Sequence, residues 1–158
     1  MALFSWYNNT MVLLCTSLFF ILGLIIGSFL NVVIYRYQTS KNLGGRSACM
    51  SCRSSLTWYE LIPVFSFIFL GGRCKSCRTH ISLQYPLVEI ITGIIFFSLF
   101  LKFQDVFFNS PYEFAGLFTF YVLAFILLLI IATYDLRHKI IPDQLSFIVG
   151  LLTFVGLF

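Results

Sequence analysis

The chain has 158 residues, of which 59% are hydrophobic and only 10% charged. Ordinary globular domains carry about a quarter charged residues, and 20 phenylalanines are too many for one small core. The composition excludes a water-soluble domain, so much of the surface has to face lipid; the formal charge of +4 is modest, and its placement says more than its size.

Residues 1–35 carry no charge. Within them Met11 to Tyr35 is long enough to span a bilayer, which takes about 20 apolar residues. The stretch is too long for a cleaved signal peptide and lacks the basic start of one. Gly23-Leu-Ile-Ile-Gly27, followed by Ser28, has the small-residue spacing that lets a second helix come close, although ordinary membrane-helix glycines read the same way. Cys15 stands alone and is expected to pack. Asn31 needs either a protein partner or the interface.

From Arg36 to Arg78 runs a polar insert with seven Lys/Arg and one acid, Glu60. It holds Cys49-Met-Ser-Cys52 and Cys74-Lys-Ser-Cys77, separated by 21 residues. A Cys-x-x-Cys turn brings two thiolates to one side of a loop, and two such knuckles supply the four ligands of a structural zinc ion. The neighbouring Arg53, Arg73, Lys75 and Arg78 favour thiolates. Two disulfides, or four unrelated thiols, are the alternatives. His80 is read as loop, although it could replace a thiolate. Between the knuckles, Leu61 to Leu70 is apolar but too short to cross a bilayer and is broken by Pro63. It reads as a re-entrant or interfacial segment, or as the small core of the insert. No internal repeat is evident.

A second span is predicted over Tyr85 to Leu101, with Pro86 in its first turn, where proline is tolerated. It carries Glu89, a carboxylate that is costly inside a membrane unless paired, hydrated or functional. A third span, Phe114 to Tyr134, has no charge and leads into Asp135-Leu-Arg-His-Lys-Ile-Ile-Pro-Asp143. A fourth apolar run follows from Gln144 to Phe158. Nine of the ten Lys/Arg lie in the insert or at Arg137 and Lys139, leaving only Lys102 elsewhere. The positive-inside rule then puts the insert and the 135–143 loop in the cytoplasm and the N-terminus outside. On spacing alone, Asp135 is a boundary charge paired with Arg137 or Lys139, and Asp143 is a helix-start acid favoured by the dipole.

Taken in order, Gly27-Ser-Phe-Leu-Asn-Val-Val-Ile-Tyr-Arg36, Cys49-x-x-Cys52, Glu60-Leu-Ile-Pro-Val64, Gly71-Gly-Arg-Cys-x-x-Cys77, Tyr85-Pro-Leu-Val-Glu89 and the Asp135 to Ile-Pro-Asp143 stretch form a recognisable series. The chain resembles the type 4 prepilin peptidases, membrane aspartyl proteases of the GxGD type from bacterial type IV pilus, type II secretion and competence systems. The resemblance implies an all-α polytopic membrane protein with a cytosolic zinc-knuckle insert and about four transmembrane helices in this chain. The corresponding division is an N-terminal transmembrane helix at 1–35, the insert at 36–84 and the first part of a peptidase domain at 85–158.

The resemblance also implies a prepilin leader peptidase in the bacterial inner membrane, an aspartic endopeptidase cleaving prepilins or pseudopilins after Gly at the cytoplasmic face. N-methylation of the new terminus, with S-adenosylmethionine as donor, is a further activity of the family. Asp135 matches the first catalytic aspartate, Asp143 and Glu89 are supporting, and Cys49, Cys52, Cys74 and Cys77 are the zinc ligands. The lipid bilayer, prepilins and other pilus or secretion assembly proteins are the implied partners, and no nucleic acid is. One departure stands out: the family's second catalytic aspartate lies in a Gly-x-Gly-Asp motif that these 158 residues do not contain. The terminal apolar run looks like a truncation. The alternative expectation is therefore a catalytically inactive module that binds prepilin or an assembly partner.

Overall fold

Long uncharged runs leave the backbone no water to bond with inside a membrane, so it satisfies itself as helix. The computed structural model describes residues 2–36, 47–139 and 143–155, and among them it is helical with no strand. In chain order these are α1 (Ala2–Arg36), a 3-10 turn (Trp58–Leu61), α2 (Phe65–Phe69), α3 (Gln84–Asn109), α4 (Pro111–His138) and α5 (Asp143–Val155). Among the described residues three stretches are long and apolar enough to cross a membrane: Thr10–Arg36, Gln84–Asn109 and Pro111–Arg137. The fourth expected span corresponds to α5, a 13-residue apolar helix packed back on α4. Lys41 and Arg46, counted above for orientation, lie outside the described residues, as does Ile140-Ile-Pro142.

The chain divides into two compact units, Met1–Gly23 with Gly93–Phe158, and Leu24–Thr92. In the first, phenylalanines join three helices. Phe19 of α1 stacks on Phe100 of α3 at 4.7 Å between ring centroids and meets Phe118 of α4 edge-on at 5.0 Å. Phe107 and Phe114 close the cluster at 4.9 Å. Lipid is as apolar as these side chains, so association here comes from close packing, with each aromatic pair contributing about 0.5–1.5 kcal/mol. Thr16 and Thr133 spend their hydroxyls on the carbonyls of Val12 and Leu129, one turn back.

In the second unit, α1 and α3 meet at Gly27. A Cβ there would lie 2.7 Å from the Glu89 Cα and 3.1 Å from the Thr92 side chain. Only a bare backbone permits this approach, which is the small-residue reading of the glycine spacing. Asn31, one turn on, is buried and donates its side-chain N–H to the Tyr85 carbonyl at 3.0 Å. Gly27→Val is therefore expected to force the helices apart at a cost of about 1–3 kcal/mol, the usual penalty for overpacking. Gly116→Val, where a Cβ meets nothing within 4 Å, is the control. Thermal unfolding in detergent checks this, and equal losses from the two variants would contradict it.

Candidate metal centre and membrane carboxylates

The two knuckles are copies of one local structure. Cys49-Met-Ser-Cys52-Arg53-Ser54 and Cys74-Lys-Ser-Cys77-Arg78-Thr79 share Cys-x-Ser-Cys-Arg followed by a hydroxyl residue. In each, the first cysteine's carbonyl accepts the arginine N–H at 3.0 Å, and its N–H donates to the Ser54 or Thr79 carbonyl at 2.9 Å. Isolated bridges, Ala48 with Ser55 and Arg73 with His80, close both loops in the same register. Arg53 and Arg78 sit at φ 57° and 60°, the left-handed turn after the second cysteine that brings Ser54 and Thr79 back to the first. The expectation of no internal repeat is thus corrected: the repeat is six residues of local geometry, too short to register as a repeating domain.

The left-handed turn yields a test. A β-branched side chain is poorly tolerated at positive φ, with roughly 1–2 kcal/mol at stake per residue. Arg78→Val should therefore weaken metal retention, whereas Arg78→Gly should keep it. Competition with a chelator measures the difference, and identical retention would remove the turn from the account.

The four sulfurs all lie within 4.8 Å of one another. Cys49 and Cys77 are 3.8 Å apart across the knuckles, and Cys52 and Cys74 are 4.0 Å apart. Ligands at about 2.3 Å around a tetrahedral zinc ion stand about 3.8 Å apart, so the cluster fits such an ion. All five cysteines are free thiols, with Cys15 away in α1. The Ser54 hydroxyl lies 3.0 Å from the Cys52 sulfur and the Thr79 hydroxyl 3.2 Å from that of Cys77.

These contacts set the thiol chemistry. Hydrogen bonds from the Thr79 hydroxyl and backbone lower Cys77 to about 6, and those from Ser54 lower Cys52. Cys49 receives backbone N–H groups from Cys52 and Ser51, yet burial and the neighbouring thiols push it up to about 11. Four thiolates cannot crowd together without a cation to compensate them. Such hydroxyls orient a ligand set from behind, and the Ser/Thr two places after each second cysteine is the signal that could have found them.

His80 is exposed, bridged to Arg73 and outside the sulfur cluster. Lys75, between the second pair of cysteines, donates to the Tyr59 hydroxyl at 2.6 Å. Glu60 accepts the Thr57 N–H at 2.8 Å and the Thr57 hydroxyl at 2.5 Å, and these bonds hold its carboxyl below the usual range.

The carboxylates are distributed more widely. Glu89 belongs to the second unit, where its Oε2 accepts the Val64 N–H at 2.7 Å and the Ser28 hydroxyl also bonds it. That non-local pairing had no counterpart in the sequence reading. Val64 has φ 61°, a strained value for a β-branched residue, and the Glu89 bond holds it at the start of α2. Asp135 lies in the first unit, half-buried in the last turn of α4, and its carbonyl accepts the Lys139 N–H at 2.6 Å. Asp143 is exposed and opens α5.

A model described as the bacterial peptidase A24 N-terminal domain matches residues 21–103. The chain belongs to the A24 peptidase family. It is 39% identical over 140 residues to a Prepilin leader peptidase/N-methyltransferase of Myxococcus xanthus, covering 87% of this chain and 38% of that one. Relatives of the same name from Bacillus subtilis and Vibrio cholerae are 37% and 33% identical, over 82% and 87% of this chain. The chain spans 49% and 54% of those two proteins, about half their length. No solved structure matches it. The A24 match takes in the cysteine cluster, Asn31 and Glu89, while Asp135 and Asp143 lie beyond its end.

Proposed function

We propose that this A24 family member takes part in prepilin processing, cleaving the leader peptide after Gly at the cytoplasmic face of the bacterial inner membrane. The observation that carries the reading is its similarity to three named prepilin leader peptidases over more than four fifths of its length. Asp135 supplies one carboxylate of an aspartyl dyad. Two carboxyls about 3 Å apart share a proton; the ionised one takes a proton from water as it attacks the scissile carbonyl, and the protonated one donates to the leaving amine. The second carboxylate comes from a Gly-x-Gly-Asp segment. Asp143 and Glu89 are supporting, with Glu89 tying the insert to α3.

In this reading 1–35 is the first membrane helix, 36–84 the cytoplasmic insert and 85–158 the first part of the peptidase domain, with the N-terminus outside. The insert's four thiolates hold a structural zinc ion, whose coordination they fill. N-methylation of the new terminus from S-adenosylmethionine is included on the strength of the relatives' names alone.

One observation favours a second reading, a non-catalytic module that binds prepilin or an assembly partner: no Gly-x-Gly-Asp occurs in the 158 residues. Proteoliposomes holding a prepilin separate the two. The 158 residues alone are expected to leave the leader intact. Adding the part of the Bacillus subtilis relative that lies beyond the match is expected to restore cleavage. Cleavage by the chain alone would put the second carboxylate within these residues, and none with both parts present would favour the binding module.

A further inference from the structure

The apolar segment between the knuckles turns a wide apolar face outward. Neither the 3-10 turn nor α2 contains a buried residue. Trp58 is 78% exposed, Phe65 55%, Ile68 66% and Phe69 84%. Val64, Phe67 and Leu70 are half-buried, so the segment keeps an inner side and turns Trp58, Phe65, Ile68 and Phe69 outward. Tyr59, Ile62, Phe65 and Phe69 line an open groove of about 390 Å³, with Lys75 also on it. Water-exposed apolar surface of this kind marks an interaction site.

Two observations say what covers it. The first is position: the N–H of Val64, at the start of α2, is held by Glu89, five residues into α3. At about 1.5 Å per residue that is roughly 7–8 Å along the helix axis, and α3 is a membrane-crossing helix. The segment is therefore fastened beside the first turns of a bilayer span. The second is charge. Arg53, Arg73, Lys75 and Arg78 are all exposed, and the one acid of the insert, Glu60, is already engaged by Thr57. Lys75 is held at the groove by its bond to the Tyr59 hydroxyl, with its ammonium 5.1 Å from that ring's centre.

We propose that Trp58–Leu70 is a membrane-interface anchor, its aromatic and aliphatic side chains lying in the headgroup–acyl boundary of the leaflet that α3 enters, and Arg73 and Lys75 resting on anionic phospholipid headgroups. The segment buries its apolar side about 5–10 Å into that boundary, as interfacial helices do. Trp58 and Tyr59 take the place that amphipathic rings favour at the membrane surface. The basic side chains add attraction to anionic lipid that salt screens. The anchor holds the cysteine knuckles flat against the membrane, and it is independent of the peptidase reading.

The test uses the whole chain in lipid nanodiscs. The protein has two tryptophans, so Trp6→Phe leaves Trp58 as the sole reporter, and a second version carries Trp58→Phe with Phe69→Trp. Phospholipids brominated near the carbonyl end of the acyl chain should remove most of the emission of both reporters. Acrylamide in the water should quench them several-fold less than it quenches the unfolded protein. Free quenching by acrylamide with none by bromolipid would overturn the anchor and put the segment in water. Protection from both would overturn it in favour of a protein surface, a second copy or a substrate.

For the headgroup assignment, phosphatidylglycerol should increase bromolipid quenching over phosphatidylcholine alone. Arg73→Gln with Lys75→Gln should abolish that increase while bromolipid quenching in phosphatidylcholine alone stays unchanged. An increase that survives both substitutions would overturn the headgroup assignment.

Discussion

Cys74→Ser is expected to strip most of the zinc from the protein. Cys74 is the buried member of the cluster, 6% exposed, so its sulfur has no water to replace a lost partner. Serine keeps the size but its hydroxyl remains protonated, and three thiolates form an open and weaker site. Structural zinc contributes about 10–16 kcal/mol to small metal-folded modules at neutral pH. Among the described residues of the insert, neither the 3-10 turn nor α2 holds a buried residue, so little apolar burial is left to hold the fold without the metal. Metal analysis should find about one zinc per wild-type chain, and limited proteolysis should cut the variant faster within residues 47–84. Equal zinc in variant and wild type would remove the four-thiolate site from the account.

With the part of the Bacillus subtilis relative beyond the match supplied alongside, Asp135→Asn should abolish leader cleavage while leaving expression unchanged. The side chains are nearly isosteric, and the backbone cap at Lys139 uses the Asp135 carbonyl, which the substitution leaves in place. Asparagine, however, can neither take a proton from water nor give one to a leaving amine. Positioned acid–base groups contribute about 10²–10⁴-fold each, so the rate should fall by at least that much. Asp143→Asn should have a small effect, because Asp143 is exposed at the start of α5, where a charge is tolerated and favoured by the dipole. If Asp135→Asn still processed prepilin and Asp143→Asn did not, the proposed roles would be exchanged.

The spans were legible because long apolar runs carry almost no charge, the first and third none at all and the second only Glu89. Their ends were less so. Helix α1 begins at Ala2 and not near Met11, and α4 runs through Asp135 to His138, because helical hydrogen bonding continues past the apolar run until a cap stops it. In α4 that cap is Lys139 in the left-handed conformation. The four cysteines were legible because their chemistry is local to two short turns. The hydroxyls behind them, also local, went unread. Glu89 could be flagged as anomalous, but its partner is a backbone N–H 25 residues away, which no pattern of side chains announces. For Leu61 to Leu70, composition shows that the segment is apolar and not which way it faces. That question needed the exposure of Phe65, Ile68 and Phe69.

The proposed activity is tested most directly by the N-terminal mass of a pilin from cells that lack their own prepilin peptidase. Those cells would express this protein together with the part of the Bacillus subtilis relative beyond the match. The account predicts a pilin shortened by its leader after Gly and heavier by one methyl group at the new terminus. A pilin that keeps its full leader, in cells where both parts are present in the membrane and the zinc site is filled, would contradict it.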